Sequence, residues 1–199
     1  LHLLNLGGIY VLLASSLNLT VGLSGQVSLG HGAFFGIGAY TSALLAFSSI
    51  SLPLPLLMLL SGLAALCVAI VIAPPALKLK DEYLAVVTLG LGLIFELWLK
   101  NVDFTGGPDG LYGIPNFHFS KLTYAPWVWT SVIICLLITW RLNRGCFGRN
   151  LTAIKIAEPT ARTLCIAPFS LKALCFALSG FFAGVAGSLY AHYITFITP

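Results

Sequence analysis

The sequence predicts an all-α membrane protein, a polytopic bundle of about six transmembrane helices. Two observations indicate this class. Hydrophobic residues make up 58% of the 199 residues and charged residues only 8%, whereas a soluble domain carries roughly 25% charge. The apolar residues also form long continuous runs, unlike the alternating strands of ~10 residues that build a membrane β-barrel. We therefore exclude both a soluble fold and a transmembrane barrel.

Six apolar runs are candidate spans, because a bilayer core of ~30 Å requires about 20 apolar residues of helix. They cover residues 3–21, 29–50, 54–73, 83–99, 125–140 and 173–196. We interpret residues 1–199 as a single transmembrane domain. We expect this domain to be incomplete, since the chain starts at Leu1 without an initiator methionine and stops at Pro199, directly after a span.

Basic residues are concentrated in one loop, where six of the ten Lys and Arg residues lie between positions 141 and 172. Short loops rich in Lys and Arg beside spans mark the cytoplasmic side of a membrane. We therefore place the loop 141–172, called here the cytoplasmic loop, inside the cell. Alternation of the spans then places the loop 100–123 outside. It also places Lys78 and Lys80 inside, in agreement with the same rule.

A polar, glycine-rich passage at residues 22–32, called here the break, separates the first two apolar runs. Irregular backbone near a membrane is tolerated only where protein or a water-filled cavity covers it. Transporters use broken helices of this kind to expose helix ends to substrate. A tight interfacial turn with a helix cap is the alternative. We expect a broken helix here, with these residues on a substrate pathway: Ser24, Gly25, Gln26, Ser28 and His31.

Glycine is frequent in the spans, where close backbone approach must hold helices together because lipid provides no hydrophobic driving force for association. The last span carries Gly180, Gly184 and Gly187 at positions that share one helix face. We expect this face to be a helix contact. We expect Gly32 and Gly36 in the second span to pack in the same way.

Four ordered blocks of sequence carry a family resemblance. They are 22–40 (GLSGQVSLGHGAFFGIGAY), 77–92 (LKLKDEYLAVVTLGLG), 105–115 (TGGPDGLYGIP) and 148–199. Together they resemble the LivM-type membrane subunit of bacterial branched-chain amino-acid ABC importers. The likeness covers nearly the whole chain. It implies a multi-pass permease of the bacterial inner membrane, with the loop 100–123 in the periplasm.

The resemblance also implies partners: a related permease subunit forming a heterodimer, two cytoplasmic ATPase subunits and a periplasmic substrate-binding protein. The chain has no G-x-x-x-x-G-K-[ST] motif that would cradle nucleotide phosphates, so ATP and Mg²⁺ belong to the partner subunits. We expect no enzymatic activity, no cofactor and no metal site in this chain. The cytoplasmic loop is then the coupling loop to the ATPase, through Glu158, Ala161, Arg162, Leu164 and Cys165. The alternative is a solvated loop helix whose basic residues only orient the protein.

Several positions depart from the family pattern. Leu93 and Glu96 replace an acidic residue and a basic one, Pro159 enters the loop helix, and Cys165 replaces a glycine. These departures leave the substrate open, since urea and short-chain amide permeases share much of the pattern. A passive channel is an alternative from another class, and an intramembrane enzyme lacks any supporting motif. We expect Glu96 to reach the headgroups and His192 to belong to an interfacial aromatic belt.

Overall fold

The computed structural model describes residues 1–48, 52–77, 79, 81–115 and 121–199. Lys78, Lys80 and the part of the loop 100–123 at 116–120 lie outside the described residues. The described part is helical apart from one pair of short strands, so the predicted all-α class is confirmed. In chain order the elements are α1 (His2–Asn18, continued by a π-helical turn Leu19–Leu23), α2 (His31–Phe47), α3 (Leu54–Ala76), α4 (Asp81–Asn101), 3-10 turns Asp103–Thr105 and Gly107–Asp109, β1 (Leu111–Tyr112), α5 (Lys121–Arg144), α6 (Cys146–Ile156), α7 (Glu158–Thr163), α8 (Pro168–Ile194) and β2 (Phe196–Ile197).

Five helices in the described residues are long and apolar enough to cross a membrane, and α2 is a shorter apolar helix. The 17 residues of α2 rise about 26 Å at ~1.5 Å per residue, close to the ~30 Å bilayer core. The second predicted span, 29–50, is therefore too long. It loses its first two residues to the break, and the helix ends at Phe47.

The last helix, α8, is the centre of the bundle. It packs against α1, α2 and α3, and its buried residues face all sides, from Cys175 to His192. A helix that is apolar all round is the expected element for such a position. Within the described chain, α4 has the sparsest contacts of the long helices, so one side of α2 stays open toward α4.

The two ends of the bundle agree with the predicted alternation. At one end, called the outer end, His2 stacks on Tyr193 with ring centroids 5.4 Å apart, and β1 pairs with β2 in antiparallel register. At the opposite inner end, the break contacts α6 and Glu158 pairs with Lys172. The break and the cytoplasmic loop therefore share one side of the protein, as alternation requires.

His192 does not belong to an aromatic belt, and that prediction is wrong. Its side chain is 1% exposed, with Nδ1 2.7 Å from the Pro115 carbonyl oxygen and Nε2 2.8 Å from Ser42 Oγ. A carbonyl only accepts, so a neutral imidazole donates from Nδ1 and accepts the Ser42 hydroxyl at Nε2. Ser42 then accepts from Ser188, 2.7 Å away. This network ties α2 and α8 to Pro115 of the loop 100–123.

Candidate functional site

A cleft of about 400 Å³ lies between α2 and α4. Leu29 and Gly30 of the break line it near the inner end, and residues 196–199 line it near the outer end. The cleft therefore follows the helices through much of the bundle. Small-molecule sites of roughly 300–1,000 Å³ are common in proteins, so this space suits a ligand the size of an amino acid.

Glycine forms much of the α2 wall of the cleft. A Cβ atom built at Gly32 would meet nothing within 4 Å, and Gly32 lines the open space. The structure thus places Gly32 at the cleft and not at the helix contact expected from the sequence. Its position on α2 faces the side that α4 leaves open. Gly36 lies 3.0 Å, measured from a built Cβ, from the Phe95 ring, so an aromatic side chain of α4 covers it.

The remaining cleft walls are mostly apolar, and two polar groups stand out. Tyr40 is 5% exposed, and its hydroxyl has no hydrogen-bond partner among the described residues. Glu96 lines the cleft and forms an ion pair with Lys100 one turn further along α4. The sequence predicts that Glu96 reaches the headgroups, and in the structure its half-exposed side chain lies on the wall of the cleft.

The break is an ordered segment with a distinctive backbone. The first span ends in a π-helical turn, Leu19–Leu23, a rare element that often marks functional sites. Ser24 Oγ donates to the Thr20 carbonyl oxygen at 2.6 Å. The backbone N–H of Gln26 donates to the same oxygen at 3.1 Å. Gly25 has φ +72°, a conformation that glycine adopts without steric cost.

The residues of the break that were predicted to line a pathway are directed into the protein. None of them lines the cleft. Gln26 is fully buried, and its side-chain amide has no partner among the described residues, as is also true of the Ser28 hydroxyl. His31 Nε2 lies 2.8 Å from Ser16 Oγ, which donates to the Leu13 carbonyl at 2.6 Å. Since that hydroxyl proton is already used, His31 donates from Nε2. The residues of the break that line the cleft are Leu29, Gly30 and Gly32.

Three elements build the cytoplasmic loop, with α7 beside α6 and the start of α8. Glu158 accepts hydrogen bonds from Lys172 at 2.9 Å and from Arg162 at 2.8 Å. The Lys172 hydrogen bond is the largest cause that lowers the pKa of Glu158 below its ordinary value, and partial burial opposes it. Glu158 is therefore ionised at neutral pH and holds the start of α7 against α8.

The proposed coupling residues do not share one surface. Ala161 is 1% exposed and packs in a cluster with Leu151, Ile154 and Cys175. This packing holds α7 against α6 and α8. Leu164 is 67% exposed, and the side chain of Arg162 is 68% exposed. These two side chains are accessible to another protein.

Cys165 occupies a backbone conformation that explains the glycine of the family pattern. Its φ is 58°, and its N–H donates to the Arg162 carbonyl while that of Ile166 donates to the Ala161 carbonyl. This arrangement ends a helix with a left-handed residue, usually glycine. A Cβ atom strains that conformation.

We expect Cys165→Gly to raise the stability of the protein by about 1 kcal/mol, because it relieves the left-handed strain. The measurement is the thermal unfolding midpoint of the purified protein in detergent. The control is Cys146→Gly at the start of α6, where glycine weakens a helix by up to ~1 kcal/mol. An unchanged midpoint in Cys165→Gly would show that position 165 is unstrained.

The glycines of α8 lie at close helix contacts. A Cβ atom at Gly184 would lie 2.6 Å from Ala65 Cβ, one at Gly187 would lie 2.0 Å from the Phe35 carbonyl oxygen, and one at Gly180 would lie 2.9 Å from Ala69 Cβ. Glycines at close helix contacts outside the set predicted for packing include Gly8 on α1, Gly38 on α2 and Gly62 on α3. The sequence does contain an indication of the Gly62 contact, because Gly62 is the one glycine in a leucine-rich span.

Comparison with known proteins gives a consistent result. A family model described as the permease component of a branched-chain amino acid transport system matches residues 1–199. Relatives named "High-affinity branched-chain amino acid transport system permease protein LivM" occur in Salmonella typhimurium and Escherichia coli. Each is 35% identical over 221 residues, which cover 96% of this chain and 52% of the relative.

A more distant likeness is to the autoinducer 2 import system permease protein LsrC of Klebsiella pneumoniae. It is 33% identical over 116 residues, covering 56% of this chain and 33% of the relative. The chain spans about half the length of the LivM relatives that it matches. No solved structure matches the chain.

Proposed function

Because the chain belongs to the family of permease components of branched-chain amino acid transport systems, we propose that it is the membrane-spanning subunit of an ATP-driven importer. The family expected from the four sequence blocks is thereby confirmed, and the chain is a multi-pass membrane protein. The proposed substrates are branched-chain or other hydrophobic amino acids. The proposed site of action is the bacterial inner membrane.

The observation that carries this proposal is the cleft between α2 and α4. Its walls are mainly apolar side chains and glycine backbone, and it extends from the break to the strand β2. Apolar walls suit a hydrophobic side chain, whereas the Tyr40 hydroxyl and the Glu96 carboxylate suit a polar group on the same molecule. The proposed reaction is translocation without covalent chemistry, so the residues of the cleft bind and orient the substrate.

Energy enters through partner subunits in this proposal. Two ATPase subunits hold ATP and Mg²⁺, a periplasmic protein delivers substrate, and a related permease subunit completes the pathway. The exposed side chains Arg162 and Leu164 on the cytoplasmic loop support a docking surface for the ATPase.

The direct test is uptake by the complete complex in proteoliposomes, with radiolabelled leucine as substrate. We expect uptake that depends on ATP and on the binding protein. Uptake of urea or acetamide in place of leucine would favour the related amide permeases. Leucine entry that is unaffected by the removal of ATP would favour a passive channel.

We expect Gly32→Phe to block the cleft and to lower leucine uptake by at least about tenfold, which corresponds to a change of ~1.4 kcal/mol. The aromatic ring has room to enter the cleft, since nothing lies within 4 Å of a Cβ atom at Gly32. Assembly should therefore persist, as measured by the yield of purified complex.

The matched control is Gly90→Phe on α4. A Cβ atom there also meets nothing within 4 Å, and Gly90 does not line the cleft. Wild-type uptake is expected for this variant. If Gly32→Phe transports as well as Gly90→Phe, the substrate takes another route.

A further inference from the structure

The break is bound directly by the cytoplasmic loop through Lys155, the second-last residue of α6. Lys155 Nζ donates to the Gly22 carbonyl oxygen at 3.2 Å. Gly22 lies in the π-helical turn that ends the first span, where carbonyl groups lack partners within the helix. A cation at this end is also favoured by the helix dipole.

The aliphatic part of Lys155 lies against Gly25. A Cβ atom built at Gly25 would lie 3.2 Å from Lys155 Cγ and 3.4 Å from Cδ. Glycine is favoured here by the left-handed φ of +72°, and a Cβ atom would also fit tightly against the lysine side chain. Lys155 therefore contacts the break on both sides of Leu23. It donates a hydrogen bond to Gly22, which precedes Leu23, and packs against Gly25, which follows it.

Leu23 itself packs on the cluster formed by Leu151, Ile154, Ala161 and Cys175. These residues belong to α6, α7 and α8. The end of the first span is thus embedded in the cytoplasmic helices. A displacement of α6 and α7 must move this turn with it, since close-packed side chains transmit displacement.

The far side of the break forms the inner end of the cleft. The Leu29 N–H donates to Thr88 Oγ1 on α4 at 3.0 Å, and Leu29 and Gly30 line the cleft. Residues 26–28 alone separate the Lys155 contact at Gly25 from the cleft wall. This short connection gives a continuous path of contacts from α6 to the cleft.

We propose that Lys155 is a positioning residue that transmits movement of the cytoplasmic helices to the inner end of the cleft. The proposal rests on the proposed function, because the movement originates in ATPase partners. It differs from docking itself, since the Lys155 contacts at Gly22 and Gly25 lie within this chain. The lysine acts on the break, and the break sets the width of the cleft beside Thr88.

The test compares Lys155→Met, Lys155→Arg and the control Arg149→Met in the complete complex in proteoliposomes. Methionine keeps part of the apolar stem but cannot donate to Gly22, and Arg149 is an exposed basic residue of the same helix. We expect Lys155→Met to lower the leucine taken up per ATP hydrolysed by at least about tenfold, the order of effect of losing one hydrogen bond from a charged group. ATP hydrolysis should continue. Lys155→Arg should restore most of the coupling, and Arg149→Met should match the wild type.

Hydrogen–deuterium exchange of the peptide 22–30 in the purified chain gives a second readout that needs no ATPase. It should rise in Lys155→Met and not in Arg149→Met. Wild-type coupling and exchange in Lys155→Met would overturn the proposal, as would loss of assembly, which would assign Lys155 to stability alone. A wild-type complex without ATP-driven uptake would overturn the proposed function, whereas the exchange comparison would still decide whether Lys155 orders the break.

Discussion

Gly38→Ala is expected to prevent the accumulation of folded protein, although it adds a single methyl group. A Cβ atom at Gly38 would lie 2.1 Å from the Gly184 carbonyl oxygen and 2.4 Å from Gly184 Cα. Backbone atoms cannot rotate away as a side chain can, so α2 and α8 must separate. Overpacking typically costs ~1 to 3 kcal/mol, and we expect a value at or above the upper end.

The measurements are the yield of monodisperse protein in detergent and its thermal unfolding midpoint. The matched control is Gly7→Ala on α1, where a Cβ atom meets nothing within 4 Å. The control should fold as well as the wild type, and slightly better because alanine favours helix over glycine. Equal yields from the two variants would mean that α2 and α8 are not in backbone contact in the membrane.

The effect is expected to be large because α8 joins the other spans. Gly184 approaches Ala65 on α3, and Gly187 approaches Phe35 on α2. In lipid, the association of helices depends on such close packing and on hydrogen bonds between helices. The network of Ser42, Ser188 and His192 adds hydrogen bonds between α2 and α8. Separation of α2 from α8 would therefore also displace one wall of the cleft.

Leu164→Asp is expected to abolish ATP-dependent uptake while the chain itself remains folded. Leu164 is 67% exposed, and Ile156 at the end of α6 is 81% exposed. Large apolar side chains that face water on a cytoplasmic loop indicate an interaction surface. If Leu164 is an anchor residue for the ATPase, its loss should cost at least ~2 kcal/mol, or about thirtyfold in affinity.

The measurements are co-purification of the ATPase subunits and leucine uptake in proteoliposomes. The control is Thr160→Asp in the first turn of α7, an exposed position where an acidic residue is favoured by the helix dipole. The control should retain both activities. Co-purification that survives Leu164→Asp would locate the docking surface on another part of the cytoplasmic side.

The sequence predicted the spans well and the break only in part. Hydropathy located α3 and α4 because burial in lipid requires long apolar helices whatever their neighbours are. The polar residues of the break were expected on a pathway because polar groups near a membrane require partners. Either the substrate or other groups of the protein can be those partners. The residue types of the break do not show which of the two applies. His31 is bonded to Ser16, which no local pattern indicates.

The glycines, too, show that a sequence pattern does not reveal which group a residue contacts. The spacing of Gly180, Gly184 and Gly187 placed them on one face, since helix geometry alone fixes which residues share a face. Spacing says nothing about what lies opposite, so it did not separate these contact residues from Gly32, which faces open space. Likewise Cys165 stood out only as a departure from a pattern, and its left-handed φ supplied the reason.

The sequence by itself determined the class of the protein, the approximate spans, their alternation and the family, because these follow from composition, length and local motifs. Only the tertiary structure decided which surfaces meet. It placed the cleft between α2 and α4, buried His192 and Ala161, and joined Lys155 to the end of the first span. These features depend on contacts between residues distant in the chain, whose geometry is fixed only when all the helices pack together.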